Sequence, residues 1–190
     1  MLRRGFKAEA ERLAEKLRAD LGLPPDASVN PWVLAPHLHL DIRRADELVP
    51  TDRLRQIQKL QPGAFSACTF RLPSGRVVIV HNPLHSTPRI RSDLAHELAH
   101  LILNHETRAL ERIGDVSFFT CDVDQEDEAN WLAGCLLLPR ALLLAAARNG
   151  QSAEDIARMY EVSEAMARFR LNASGVLLQV RRARRRASGL

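Results

Sequence analysis

Some features that mark specialised classes of protein are scarce or missing in this chain of 190 residues. It has three cysteines, Cys68, Cys121 and Cys135, an odd number without the spacing of a disulfide framework or a cysteine metal site. The first residues, up to about position 17, lack the apolar segment of a signal peptide. These absences predict a protein of the reducing cytoplasm without disulfide bonds.

Hydrophobic runs long enough to span a membrane are also missing. The most apolar stretch, residues 131–147, is interrupted by Pro139 and Arg140, and this predicts two core helices in place of a membrane span. There is no internal repeat and no low-complexity linker. Hydrophobic residues make up 46% of the chain and charged residues 26%, so we expect a globular protein with one substantial core.

Positive charge is in excess and is concentrated at the end of the chain. The net charge is +4, and residues 181–186 include five arginines. We interpret residues 176–190 as a basic tail that is frayed and solvated. The alternative is contact with nucleic acid or with an acidic partner.

Periodicity and turn residues divide the chain into helices, a short sheet and further helices. An amphipathic helix is predicted at 7–21, and Asn30 followed by Pro31 marks the start of a second one. Residues 40–45 indicate a strand, and alternating residues on both sides of Pro73-Ser74-Gly75 indicate a hairpin. Further helices are expected from about Thr87 to Asn104, Asp124 to Leu138, and onward to about Asn172. This order is typical of an α+β fold.

The run HELAH at residues 96–100 carries the strongest chemical signal. His96 and His100 are one helical turn apart, so both imidazoles can reach one ion. Glu97 lies beside the same cleft and can take a proton from a metal-bound water, whose pKa a bound zinc ion lowers to about 7. On a helical wheel both histidines lie nearly opposite the aliphatic residues Ile90, Leu94, Leu98, Leu101 and Ile102. The run therefore predicts a zinc site that faces a cleft, with Glu97 as the catalytic base; the alternative is two ordinary helix histidines.

A third protein ligand is expected at the start of the next helix. Glu126 is favoured because it shares a helical face with Ala129, Asn130 and Ala133, and small residues allow close approach to the HELAH helix. Asn130 could hydrogen-bond a ligand histidine. Glu128 is the next candidate. The alternative is that the acidic residues of this first turn bind no metal and only interact favourably with the helix dipole. Cys121 could alternatively occupy the open position of the metal.

HELAH, followed after a gap by EDEANWLAGCLLLP, resembles the paired motifs of the ImmA/IrrE family of metallo-endopeptidases. The preceding FSACTFRLPSGRVVIVHN is similar to that family's hairpin, and the resemblance covers roughly residues 7–173. It implies a thermolysin-like minimal zincin core, with a small antiparallel sheet packed on helices. It also implies zinc ligands at His96, His100 and Glu126 and a general base at Glu97. Its implied substrates are helix-turn-helix transcriptional repressors, inactivated to switch on stress-response or mobile-element genes.

The segment SAEDIARMYEVSEAMARFRLNASG indicates a helix, a tight turn and another helix. Ser152 with Asp155 resembles a capping box, and Ser163 is placed to cap the second helix. Arg168 and Arg170 could meet phosphates. We therefore divide the chain into a zincin-like domain at 1–140, a helix-turn-helix-like segment at 141–175 and the basic tail at 176–190. The leading hypothesis is a zinc endopeptidase acting on a repressor, and the alternative is a regulator that binds DNA or a partner without proteolysis.

Overall fold

The computed structural model describes residues 2–105, 110–113, 116–119 and 122–187. The helices are α1 Phe6–Asp20, α2 Pro31–His37, α3 Thr51–Leu60, α4 Thr87–Ile102, α5 Val123–Leu137, α6 Arg140–Arg148, α7 Ala153–Tyr160, α8 Glu164–Ala173 and α9 Val176–Ala187. The strands are β1 Asp41–Arg44, β2 Ala67–Arg71, β3 Val77–His81, β4 Leu110–Ile113 and β5 Val116–Phe119. The predicted α+β class is confirmed.

The main sheet is mixed, whereas the sequence interpretation expected an antiparallel one. Its order is β1-β3-β2, with β2 antiparallel to β3 as the predicted hairpin requires. β1 runs parallel to β3, in register from Asp41 opposite Val78 to Arg44 opposite His81. The chain leaves β1 through α3, a helix that the sequence analysis missed, and reaches the far edge before β3 returns between the other two strands. Alternation of side chains along a strand does not reveal whether the strand pairs parallel or antiparallel with its neighbour. The parallel pairing of β1 with β3 could therefore not be predicted from the sequence.

Small side chains bring α4 and α5 close together. Ala95 and Ala99 on α4 and Ala129 and Ala133 on α5 are almost completely buried. Both helices belong to one hydrophobic core, which extends from Phe6 on α1 to residues on α8 and α9. Residues on both sides of position 140 contribute to this core. The predicted division of the chain into domains at that position stays a prediction.

The apolar stretch at 131–147 forms two helices, as predicted. α5 ends at Leu137 and α6 begins at Arg140. No single described helix is long and apolar enough to cross a membrane; α5 and α6 reach that length only together, and they are bent by 65° relative to each other.

The predicted basic tail is a helix as far as Ala187. Val176 and Val180 of α9 are buried, while the arginines at 181, 182 and 184–186 are exposed. The expectation of a frayed tail is therefore wrong for residues 176–187, whereas the arginines are solvated as expected. The apolar residues recur one turn apart and provide the packing that a solvated tail would lack.

Two buried arginines hold the carboxyl end of α5. Arg18 donates from Nε to the carbonyl of Ala27 and from Nη2 to that of Leu136 at 3.1 Å. Arg170 donates from Nε and Nη2 to the carbonyl of Leu138 and pairs with Glu11 at 2.8 Å. The last carbonyls of a helix have no partner within it. The two buried guanidinium groups therefore provide the partners that these carbonyls lack within the helix.

Gly134 of α5 lies against the stem of Arg170. A Cβ atom there would lie 2.8 Å from Arg170 Cγ and closer still to Cδ. In an open helix Ala would stabilise by about 1 kcal/mol relative to Gly. Here we expect Gly134→Ala to lower the free energy of unfolding by about 1–2 kcal/mol, because overpacking a core costs about 1–3 kcal/mol.

Urea unfolding of Gly134→Ala, Arg170→Ala and the double variant tests this contact. We expect Gly134→Ala to cost less in the Arg170→Ala background, since the Cγ and Cδ atoms that clash with the new Cβ are gone. A stabilising Gly134→Ala variant would contradict the close packing.

Candidate metal centre

α4 separates its two faces as the wheel predicted. Ile90, Leu94 and Leu98 are buried in the core. His96 and His100 are half-buried on the other side of the helix. The aliphatic face fixes the rotation of α4, and that rotation directs both imidazoles towards α5.

The predicted ligands lie together as a His-His-Glu cluster formed by His96, His100 and Glu126. The Nε2 atoms of the two histidines are 3.0 Å apart. Glu126 Oε2 lies 3.2 Å from His96 Nε2, and its Oε1 lies 3.5 Å from His100 Nε2. Ligands at tetrahedral positions on zinc, each about 2.0–2.1 Å from the ion, are about 3.3 Å from one another. The donor set and its spacing therefore fit one metal ion.

The first turn of α5 decides which acid joins this cluster. Asp122 caps the helix by accepting from the backbone N–H of Asp124 at 2.8 Å. One turn on, Glu126 faces the two histidines, whereas the Glu128 carboxylate lies 2.9 Å from Arg3 Nε and 3.5 Å from His105 Nε2. The geometry thus favours Glu126 over Glu128 as a metal ligand.

Asn130 contacts His96 in the way that the sequence analysis expected. Its Oδ1 lies 3.0 Å from His96 Nδ1. An amide oxygen accepts hydrogen bonds, so this contact puts the ring proton on Nδ1 and leaves the Nε2 lone pair facing the cluster. Cys121, the other candidate considered, lies outside the described residues.

Glu97 lies beside the cluster and contacts the sheet. Its Oε2 accepts a hydrogen bond of 2.6 Å from Thr69 Oγ1 on β2, and the residue is buried. This bond leaves the second carboxylate oxygen of Glu97 for other partners. The sequence analysis missed Thr69, because one threonine in an alternating strand gives no signal of its own.

Comparison with known families bears on the activity. Residues 50–172 match the model of peptidase family M78, described as the IrrE N-terminal-like domain, and this range is more than half of the chain. The chain belongs to peptidase family M78. The resemblance to ImmA/IrrE metallopeptidases is thereby confirmed, and the chain is a metallopeptidase with a His-His-Glu cluster that fits a metal. No curated protein and no solved structure gives a significant match.

His105 of this M78 peptidase connects the cluster to Glu128. Its Nδ1 lies 3.0 Å from His100 Nδ1. Asn104, at a left-handed φ of 52°, turns the chain back after α4, so that the His105 N–H donates to the carbonyl of His100 at 3.0 Å. Burial is the main cause that lowers the pKa of His105, and the charge of His100 acts in the same direction.

The positions of the protons on His100 and His105 can be assigned by starting at the metal site and proceeding towards Glu128. If His100 offers its Nε2 lone pair to an ion, its proton must be on Nδ1 and is donated to His105 Nδ1. His105 then carries its own proton on Nε2, where the Glu128 carboxylate accepts it. His105 and Glu128 therefore hold His100 in the protonation form that binds a metal.

We expect His105→Ala to weaken metal binding by about 10–100-fold, the usual cost of removing a group that orients a ligand. Competition with a chromophoric chelator measures this change. His37→Ala is the control, since His37 is exposed at the end of α2. Equal metal affinity of His105→Ala and the wild type would contradict the hydrogen bonds assigned between His100, His105 and Glu128.

The remaining histidines lie away from the cluster. His85 is buried and lies 3.6 Å from Asp93, whose pKa is raised mainly by burial. His81 ends β3 in the middle of the sheet, and burial lowers its pKa. His39 follows α2 at a left-handed φ of 58°. None of these three belongs to the metal cluster found among the described residues.

A cavity of about 660 Å³ adjoins the His-His-Glu cluster. His96, Glu126 and Asn130 form one side of it. The opposite side comes from α8 and from the segment before it, through Ser163, Ala165, Met166 and Phe169. The predicted helix-turn-helix-like segment is thus part of the surroundings of the candidate metal centre.

Proposed function

We propose that this M78 peptidase is a zinc-dependent endopeptidase that cuts, or otherwise inactivates, a helix-turn-helix transcriptional repressor. Loss of the repressor would switch on stress-response or mobile-element genes in the cytoplasm. The observation that carries the proposal is the His-His-Glu cluster with Glu97 next to it, in a chain of this family. The choice of substrate rests on the resemblance to the ImmA/IrrE family.

His96, His100 and Glu126 would hold the zinc ion, and Asn130 would orient His96. A bound zinc ion supplies a Lewis acid that polarises the scissile carbonyl and lowers the pKa of water. Glu97 accepts the proton of the attacking water and later gives it to the leaving amine. Thr69, donating to one oxygen of Glu97, keeps the other directed at the cleft.

The edge of the sheet offers a place for the substrate backbone. Within the described part of the chain, β2 pairs only with β3, so its other edge has no strand beside it. Thr69 lies on β2, so that edge is next to Glu97. An extended peptide could add to this edge through backbone hydrogen bonds.

A second candidate function is contact with nucleic acid, and α9 is the element that favours it. Arg181, Arg182, Arg185 and Arg186 lie on the side of α9 away from Val176 and Val180, and all four are exposed. The predicted phosphate contacts of α8 receive less support, because Arg170 is completely buried and Arg168 pairs with Glu154 and Glu164. We therefore propose α9, and not α8, as the element for nucleic-acid contact.

Metal analysis followed by a cleavage assay tests the leading proposal. The substrate to use first is a small helix-turn-helix repressor encoded next to this gene, with an unrelated repressor as control. We expect about one zinc per chain, and loss of the intact cognate repressor that a chelator prevents and added zinc restores. Tight binding of DNA or repressor without cleavage, unaffected by the chelator, would support the second candidate.

A further inference from the structure

We infer that the segment made of α8 and the turn before it is the substrate-recognition wall of the peptidase, and that the cavity between α8 and the His-His-Glu cluster binds a large apolar side chain of the substrate. The inference rests on the proposed peptidase function. It gives the segment a role different from the DNA binding that its sequence pattern suggests.

One side of the cavity is apolar, and the other side is formed by residues of the candidate metal centre. Trp131 and Met166 are nearly buried in its wall, and Phe169 is 37% exposed beside them. The rings of Trp131 and Phe169 meet edge to face, with their centroids 5.8 Å apart. Leu2 and Ala165 complete the apolar side. Aromatic and aliphatic surface left partly open in this way is suited to an apolar ligand.

The wall is held rigidly, so it is formed before any ligand arrives. The backbone N–H of Ser163 donates to Ser92 Oγ on α4 at 2.9 Å, and this ties the turn before α8 to the helix that carries the histidines. Ser163 Oγ accepts from the N–H of Met166. Trp131 lies between two cations, with Lys7 Nζ 4.3 Å from its ring centroid and Arg170 Cζ 5.6 Å away. A preformed pocket binds without the entropic cost of ordering itself.

Position, size and charge identify the occupant. The cavity shares His96, Glu126 and Asn130 with the candidate metal centre. A polypeptide whose scissile bond lies at the metal must therefore run past the opening of the cavity. A volume of about 660 Å³ is within the usual range for ligand sites and accommodates one large side chain with the adjoining backbone. Asp93 and Asp127, two carboxylates of the lining that are not metal ligands, repel acidic side chains. The occupant is therefore an apolar residue such as Leu, Met or Phe next to the bond that is cut.

The same observations weigh against α8 as a reader of DNA. Carboxylates line the cavity under its first turn, and a phosphate backbone would be repelled there. Arg170 is buried, and Arg168 pairs with two glutamates of its own segment. Phe169, the large hydrophobic residue that α8 leaves exposed, lines the cavity.

A binding experiment that needs no peptidase activity tests the cavity directly. N-acetyl-phenylalaninamide is titrated into the full chain, and the methyl NMR signals of Met166 and Ala165 are followed. We expect a dissociation constant of about a millimolar, with the largest shifts at these methyl groups. N-acetyl-alaninamide should bind at least about tenfold more weakly, because it buries far less apolar surface.

Ala165→Leu fills the opening of the cavity and should weaken binding of the phenylalanine probe about tenfold or more. Ala145→Leu is the matched control, since Ala145 is an exposed alanine of α6 that does not line the cavity. If the probe shifts other parts of the protein, or binds both variants equally, the cavity is not an apolar side-chain pocket.

Cleavage profiling with a peptide library separates this inference from the proposed function. We expect large apolar residues at one position next to the cut bond, and a shift to smaller residues with Ala165→Leu but not with Ala145→Leu. Cleavage without such a preference overturns the inference alone. Failure to cut any peptide, together with specific binding of the probe, overturns only the peptidase proposal. DNA binding that Ala165→Leu abolishes would overturn the inference in favour of a DNA-reading α8.

Discussion

Replacing Glu97 by glutamine should leave the metal in place and reduce cleavage by about 10²–10⁴-fold, the usual contribution of a positioned acid–base group. The glutamine has the shape of the glutamate but cannot accept a proton from water at neutral pH. Thr69 Oγ1, which donates to Glu97 Oε2 at 2.6 Å, can still donate to the amide oxygen of the glutamine. The variant therefore removes one chemical step with little change in structure.

Metal content and turnover must be measured on the same samples of Glu97→Gln. His96→Ala is the informative comparison, because it should lose both metal and activity. Thr69→Val is a milder control that keeps the carboxylate and removes the group that orients it; we expect a smaller loss of turnover than in Glu97→Gln. A Glu97→Gln enzyme that retains full turnover would show that Glu97 is not the base.

Replacing Arg170 by alanine should lower the free energy of unfolding by about 3–5 kcal/mol, the range for breaking a buried ion pair by removing one partner. Arg170 is completely buried, and its guanidinium group holds both the carbonyl of Leu138 and the carboxylate of Glu11. The substitution leaves that carbonyl without its donor and opens a cavity beside Gly134.

Arg168→Ala is the matched control for this change. Arg168 is two positions away on the same helix, is largely exposed, and pairs with Glu154 and Glu164 at the surface. Surface ion pairs of this kind contribute little, so urea unfolding should show almost no change. Similar effects of the two substitutions would mean that Arg170 does not hold the end of α5.

Local patterns predicted the elements around the candidate metal centre. The spacing in HELAH and the opposite aliphatic stripe determined how α4 lies, and both features are properties of one helix. Asn30 and Ser152 act as caps, as their neighbours in sequence indicated. The choice of Glu126 depended on a face of small residues, which the structure places against α4. In each of these cases the decisive neighbours lie within a few turns of one another along the chain.

What was missed depends on contacts between distant parts of the chain. α3 is polar and buries Leu54 alone among its side chains, so it contains too few apolar residues to be recognised as a core helix. Arg170 was predicted to meet phosphates because it lies with Arg168 in the helix-turn-helix-like segment, yet its partners are Glu11 and Leu138. His105 was not singled out, because its partner Glu128 belongs to the next helix, 23 positions further along the chain. None of these contacts is encoded by spacing along one element.

The alanine contact between α4 and α5 has a consequence for how this enzyme can diversify. Ala95, Ala99, Ala129 and Ala133 are almost completely buried, so a larger side chain at any of them would have to displace its neighbours, and the two packed helices that contain them carry all three members of the His-His-Glu cluster. Any added bulk there would separate Glu126 from the histidines. New substrate preferences must therefore arise on β2 and α8, which border the cleft without lying between the helices that carry the cluster. The constraint divides the molecule into a chemical centre that resists change and a recognition surface that can vary around it.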